Sequence, residues 1–496
     1  MELFNVKRLQ REAISADSLG ECYDFAGCEE LVDGGRTRHG STVFGGGVSQ
    51  LFAKNTQAML APKLPRQLPE NLFSRPISDG AAILQEYLDS IPQSERYAVL
   101  EPLVRREWKW FCKAAPHLKF PEPRPLRENE PIRLGIRVAR MNSGGIGRVM
   151  QLLANHFASK ANYDITIFVN SSSLSPVDYN LDSGVKVVPV QNENNLQSMI
   201  AEHCQDFIIC PNFYQPANHQ NAILLKSLGV RVVMQEHGGP TDNNPFKSVN
   251  EKSDHLAPLY SVCDGVSVLS TAERTIWRSR GLSNVIYLPN PPTFDVEKVT
   301  PSKLDGKKII WIGRWDPVSK NPELAIRAFA KILEKVPDAR LVMRGGDGGR
   351  CTEQCKQLVR KLKIGHAVDI GGFEKDLAPY YSSGAMLLCS SRFEGFPMGL
   401  QEAKTFGLPV VSTAMPYLET LKRGCVQVPH GDADALANAA VDLLQNDEKR
   451  KQLGAEARQD MIENFSAAIT FGKYEALFDA IFKGKDAVRE LCAAAA

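Results

Sequence analysis

The stretch Ser390–Thr413, SSRFEGFPMGLQEAKTFGLPVVST, decides how this chain is read. It carries two carboxylates, Glu394 and Glu402, on either side of a turn that reads as a helix start, and an apolar run, Leu408 to Val411, that reads as a strand. Pro397 fits the first helical position, where its missing N–H costs nothing because that donor would be unpaired anyway. On this reading the amides of Gly395, Phe396, Met398 and Gly399 face outward with the positive end of the helix dipole, which attracts anions. The combination points to a phosphorylated sugar, with carboxylates taking hydroxyl groups and backbone amides taking phosphate.

Around this stretch the sequence alternates apolar runs with helical ones. KKIIWIG, ARLVMRG, HAVDIGG, AMLLCSS and LPVVST read as strands, separated by helices such as Pro322 to Lys335 and Thr352 to Lys363. Upstream, RLGIRVA begins an earlier unit with a glycine-rich MNSGGIGR, a helical Val149 to Phe157, and apolar runs at Ile165–Val169, Val185–Val190, Phe207–Cys210 and Val230–Met234. Leu196 to His203 reads as another helix between strands. Such alternation predicts an α/β fold of two doubly wound parallel-sheet domains. LPNPPTF would be the hinge between them, with a cleft beside it, and ligands should sit beyond the carboxyl ends of the strands. The expected domains are 129–294 and 295–465, with 466–496 as a C-terminal helix packing back across the hinge.

Residues 1–128 form an N-terminal extension of a different character. Glu29–Gln50 is rich in Gly, Thr and Ser, and Ala61–Pro76 in proline, which suits irregular structure. Ala81–Leu88 and Tyr97–Ala114 read as helices, and FPEPRPLRENEP as a linker. Within the second helix, RREWKWFCK at 105–113 interleaves Trp108, Trp110 and Phe111 with cations. It suits either peripheral contact with an anionic membrane or an amphipathic helix packed on its neighbour.

Composition narrows the class. At 496 residues, 43% hydrophobic and 23% charged, the chain reads as a soluble protein of two or three domains. A net charge of +2 gives no global sign of nucleic-acid binding. Eleven scattered cysteines and the charged start MELFNVKRLQREA point to a reducing, cytoplasmic location, at most peripheral on the inner face of the cytoplasmic membrane. No metal site is expected: Cys351 and Cys355 lack a second pair at zinc spacing, and no Asp-x-Asp stands where it would hold a divalent cation.

Beyond KKIIWIG come Arg314 and, six residues later, Lys320, in GRWDPVSKNPE. Two cations at a strand end suit a diphosphate, and if it is a leaving group they stabilise the charge that grows as its bond to the sugar breaks. Other pieces remain open. The Gly144, Gly145, Gly147 loop is a tight turn or a ligand loop, and RGGDGG is a turn first and a ligand loop second. His237, followed by two glycines, is either a satisfied structural histidine or a group that bonds a sugar hydroxyl or moves a proton.

The segment from IGRWDPVSKNPE to GLPVVST strongly resembles the C-terminal half of the GT-B glycosyltransferases of family 4, the group 1 glycosyltransferases, with Glu394 and Glu402 matching their E-x7-E motif. QEH and SNVIYLPNPP resemble the family's middle region, while STAMPYLETL stands where a glycine-containing turn is more usual. The resemblance covers roughly residues 132–482 and implies a retaining transfer of a hexose or N-acetylhexosamine from a nucleotide-diphosphate sugar, UDP-sugar favoured, without cofactor or metal. It assigns Arg314 and Lys320 to the diphosphate, Glu394 to the sugar hydroxyls, Glu402 to the ribose, and Gly395, Phe396, Pro397, Met398 and Gly399 to the pocket. Gly144 and Gly145 would approach from the other domain, and His237 would lie near the transferred sugar. A lipid-linked or surface-glycan acceptor is expected. The alternatives are a small soluble acceptor such as a sugar phosphate, or a non-catalytic nucleotide-sugar-binding partner of a glycan-assembly complex.

Overall fold

Buried runs of Ile, Val, Leu and Phe make the inner strands of both sheets. The computed structural model describes residues 65, 67–139, 141, 144–170, 180–190, 205–212, 216–239, 246–346, 349–415 and 417–495. Residues 71–496 form one compact unit, described below, and 1–70 cluster separately, with only 65 and 67–70 described. The expectations for the N-terminal MELFNVKRLQREA, Glu29–Gln50, residues 61–64 and 66 of the Ala61–Pro76 stretch and the helix Leu196–His203 therefore lie outside the described residues.

Helices α1 (Ile77–Asp89), α2 (Gln93–Arg106) and α3 (Trp108–Ala114) open the unit. The single helix expected over Tyr97–Ala114 is broken at Glu107, whose φ of −112° and ψ of 34° are not helical. The break turns Trp110 and Phe111 into the interior, and Trp108 stacks on His219 with ring centroids 5.6 Å apart. Burial of Trp110 and Phe111 withholds them from a bilayer: α3 packs its aromatic face inward and exposes Lys109 and Lys113, with Arg106 exposed at the end of α2. Among the described residues no helix is long and apolar enough to cross a membrane.

The first sheet has seven strands, β1 (Ile132–Val138), β2 (Tyr163–Asn170), β3 (Val185–Val190), β4 (Phe207–Asn212), β5 (Arg231–Glu236), β6 (Gly265–Val268) and β7 (Val285–Tyr287). They are parallel, in the order β3-β2-β1-β4-β5-β6-β7. Helices α4 (Gly145–Ala158), α5 (Pro216–Ser227), α6 (Val249–Val262) and α7 (Thr271–Arg278) connect them.

The second sheet comprises β8 (Lys308–Ile312), β9 (Arg340–Arg344), β10 (Val368–Gly371), β11 (Met386–Cys389), β12 (Val410–Thr413) and β13 (Cys425–Val428), parallel in the order β10-β9-β8-β11-β12-β13. Its helices are α8 (Pro322–Lys335), α9 (Gly349–Lys361), α10 (Ala378–Ser382), α11 (Met398–Thr405), α12 (Ala433–Gln445) and α13 (Asp447–Asn464). Strand order reverses between β1 and β4 in the first sheet and between β8 and β11 in the second. Crevices for ligands open at such reversals, beyond the carboxyl ends of the strands.

Two further helices, α14 (Ala467–Lys483) and α15 (Lys485–Ala494), complete the chain. α14 buries Tyr474, Leu477 and Phe478 in the core of the first sheet, where Phe478 lies 4.8 Å from the Phe157 and Phe207 rings. Its Tyr474 hydroxyl accepts a 2.7 Å bond from Gln235 Nε2, so a buried amide N–H on β5 is satisfied by the helix.

Candidate functional site

Both strand-order reversals deliver polar residues to one cleft. On the side of the second sheet, the loop after β8 is shaped by Asp316, which accepts bonds from Ser319 Oγ (2.5 Å) and the amides of Val318 (2.9 Å) and Ser319 (3.3 Å). Burial pushes its carboxyl up, but these donors and Arg314 hold it below the usual carboxylate range. Arg314 is half exposed, with its guanidinium 3.6 Å from Asp316. Sequence reading overlooked Asp316, although Asp-Pro-x-Ser is a turn signal.

Lys320 points the other way, and its Nζ pairs with Glu394 Oε1. Glu394 also accepts from Ser391 Oγ at 2.6 Å. The loops after β8 and β11 are laced together, since Trp311 Nε1 donates to Ser390 Oγ (3.0 Å), which donates to the Lys320 carbonyl (2.9 Å). Between them is a small recess lined by Trp311, Lys320, Ser391, Glu394, Pro397 and Gly399. The RGGDGG run abuts this loop through the Gly345 carbonyl, which accepts from Trp315 Nε1 at 3.0 Å; its Asp347 and Gly348 lie outside the described residues.

Pro397 precedes the helix instead of opening it: it is the N-cap of α11, with ψ of 88°, and Met398 is the first helical residue. The residue before the first turn supplies the carbonyl that starts the ladder, and Pro397 O accepts from the amides of Leu400 (3.0 Å) and Gln401 (3.1 Å). Phe396 buries its ring with Leu269, Val296 and Phe465, leaving its backbone to face the cleft. Glu402, one turn into α11, is buried, accepting from Thr293 Oγ1 (2.6 Å) and Tyr381 Oη (2.8 Å), with Arg148 Nη1 at 3.4 Å.

From the first sheet, Gly144 caps α4 and Gly145 follows; a Cβ on Gly145 would stand 3.9 Å from Met398 Cγ, so this turn faces the start of α11. Asn142 and Ser143 of the same loop lie outside the described residues. After β5, His237 donates its amide to the Asn212 carbonyl at 2.9 Å. A Cβ on Gly239 would come within 2.6 Å of the Glu394 carbonyl oxygen, and one on Gly395 would overlap the His237 carbonyl. Glycine at both positions is what lets the two backbones meet.

Burial lowers the His237 pKa to about 4, against the pull of Glu236, and its Nε2 has no hydrogen-bond partner. The ring is therefore neutral at neutral pH. Behind it, Glu236 is buried with Lys252 Nζ at 2.9 Å, Asn212 Nδ2 at 2.7 Å and the Tyr260 hydroxyl donating to it. Burial raises the Glu236 carboxyl, but Lys252 and these donors hold it low and ionised. This network anchors the end of β5. Glu236 stands in the QEH that sequence reading singled out, but Asn212, Lys252 and Tyr260 are scattered through the chain without a motif, which is why it missed them.

The structure thus brings Arg314, Lys320, Glu394, Glu402 and the turn Gly395–Gly399 together on one wall, with Gly144, Gly145 and His237 on the facing one. Three cation-carboxylate pairs line the cleft: Arg314 with Asp316, Lys320 with Glu394, and Arg148 with Glu402. A diphosphate would compete for those cations, and sugar hydroxyls would bond the carboxylates.

Comparison with known proteins bears on this half most directly. Residues 294–460 match the family model described as glycosyl transferases group 1. An uncharacterized glycosyltransferase of Haemophilus influenzae is 28% identical over 195 residues, 39% of this chain and 53% of that protein, so the match spans about half of the relative. An N-acetyl-D-galactosaminyltransferase of Campylobacter jejuni, named for an undecaprenol-linked GalNAc-containing glycan, is 25% identical over 348 residues, 66% of this chain and 93% of the relative. The Anabaena HepE structure in complex with UDP-glucose superposes with a TM-score of 0.56 at 17% identity, covering 70% of this chain and 100% of that one. The fold is GT-B, two Rossmann-like domains across a cleft.

Proposed function

On a GT-B frame whose second half matches the group 1 glycosyltransferases, we propose that this chain transfers a hexose or N-acetylhexosamine from a nucleotide-diphosphate sugar, with retention, to a lipid-linked or surface-glycan acceptor. The observation that carries the reading is the convergence of Arg314, Lys320, Glu394 and Glu402 at the β8/β11 reversal, directly opposite His237. The undecaprenol-linked glycan in the name of the Campylobacter relative supports the acceptor class, and a UDP-sugar is the first donor to test.

In this reading Arg314 and Lys320 hold the diphosphate and stabilise the charge that develops on it as the glycosidic bond breaks, so the leaving group needs neither a proton donor nor a metal. The turn Gly395–Gly399 adds the positive end of α11. Glu394 takes the sugar hydroxyls and Glu402 the ribose. Neutral His237 bonds the transferred sugar, and the departing phosphate accepts the proton of the acceptor hydroxyl on the same face. Purified protein incubated with UDP- and GDP-sugars and lipid-extract acceptors should release nucleotide. Absence of both donor binding and turnover would overturn the proposal.

A further inference from the structure

Glu402 is held from both sides of the cleft. Its Oε1 receives Thr293 Oγ1 at 2.6 Å and Arg148 Nη1 at 3.4 Å, and its Oε2 receives the Tyr381 hydroxyl at 2.8 Å. An ionised carboxylate offers about four acceptor sites, two on each oxygen. Thr293 and Arg148 thus fill Oε1, and Tyr381 takes one of the two sites on Oε2.

The donors differ in origin. Thr293 lies in the connection between the sheets and Tyr381 in α10 of the second domain, whereas Arg148 sits in the first turn of α4 on the facing domain. A cation in a first turn is disfavoured by the helix dipole, and the Glu402 carboxylate offsets that cost. Arg148 and Glu402 are only 14% and 5% exposed, so their attraction is weakly screened by solvent.

We propose that Arg148 is a positioning residue for the donor nucleoside: it holds the Glu402 carboxylate in place with Oε1 occupied and presents Oε2 as the single acceptor for a ribose hydroxyl. The ribose is then read fully only when α4 stands against α11, which ties nucleoside recognition to the approach of the two domains. This rests on the reading of Glu402 as the ribose ligand. A merely structural ion pair would contribute to stability without affecting which sugar the nucleoside carries.

The test is calorimetric titration of UDP and 2′,3′-dideoxy-UDP, and of the GDP pair, into wild-type protein, Glu402→Gln, Arg148→Met and Arg148→Gln. Wild type should prefer the ribonucleotide by roughly tenfold or more, as expected for a hydrogen bond to a charged group. Both Arg148 variants should bring the ratio to within about twofold of unity, as should Glu402→Gln. If Arg148→Met does not fold, Arg148→Gln is read by the same ratio. A wild-type ratio retained in the folded Arg148 variants but lost in Glu402→Gln overturns the inference while sparing the ribose role. Wild type that binds without discriminating overturns that role and the inference with it, and wild type that binds neither nucleotide overturns the proposed function.

Discussion

Arg314 and Glu394 stand at the end of β8 and the end of β11, one half exposed and the other nearly buried. Arg314→Ala should reduce transfer by about 100-fold or more, the scale of losing a donor to a developing oxyanion, with little change in melting temperature. Glu394→Ala should also abolish transfer, at a modest stability cost because Lys320 loses its partner. Near-normal turnover in both variants would refute the assignment.

The titrating groups predict an opposed pH response. Burial holds His219, His237 and His255 down to about 4, from 6.5 when unfolded, so the unfolded chain binds the extra protons in that interval. Their contribution is complete above about pH 6.5 and is lost as pH falls toward 4. Glu273 runs the other way, raised by burial and then by the Glu236 charge from 4.5 to about 8, so its contribution is complete below 4.5 and is lost as pH rises from there to 8. Melting temperature should rise from pH 4 to 6.5 and decline toward pH 8. Glu273→Gln should steepen the rise below pH 6.5 and flatten the decline above it, and an unchanged decline in that variant would refute the assignment to Glu273.

At the scale of elements, the long amphipathic helices and buried strands were legible because periodicity reports which side faces a core. α8 begins and ends where Asn321-Pro322 and Lys335 predict. β6, β7 and β13 were not read from the sequence; pairing with β5, β6 and β12 places β7 and β13 at the sheet edges and β6 one strand in. The break at Glu107 was likewise hidden, since local propensity favours one helix and only burial of Trp110 and Phe111 favours two. The contact of the His237–Gly239 turn with the Glu394–Gly395 turn invites a direct experiment. Gly395→Ala places a methyl group against the His237 carbonyl and must push the loops apart. A shift of about 1 Å between reacting groups costs on the order of 100-fold, so transfer should fall by that much while circular dichroism is unchanged. Wild-type rates in this variant would mean that the two turns do not meet during turnover.

For the whole molecule, α14 carries the chain from the second domain back onto the first sheet. It follows the last helix of the second domain yet buries Leu477 and Phe478 in the first sheet's core. Phe478→Ala should cost about 3–5 kcal/mol, measured by chemical denaturation, and should lower the unfolding midpoint of the first domain before that of the second. A single midpoint shifted by less than about 1 kcal/mol would show that this packing matters little. The sequence by itself determined the two-sheet α/β plan, the strand ends that carry Arg314, Lys320 and Glu394, and the glycines around them, because these follow from short-range periodicity and turn chemistry. Tertiary structure alone decided the Glu236 network and the reach of Arg148 to Glu402. Those depend on which distant segments share a buried space, and a low-dielectric interior makes each charge there choose a partner that no local pattern names.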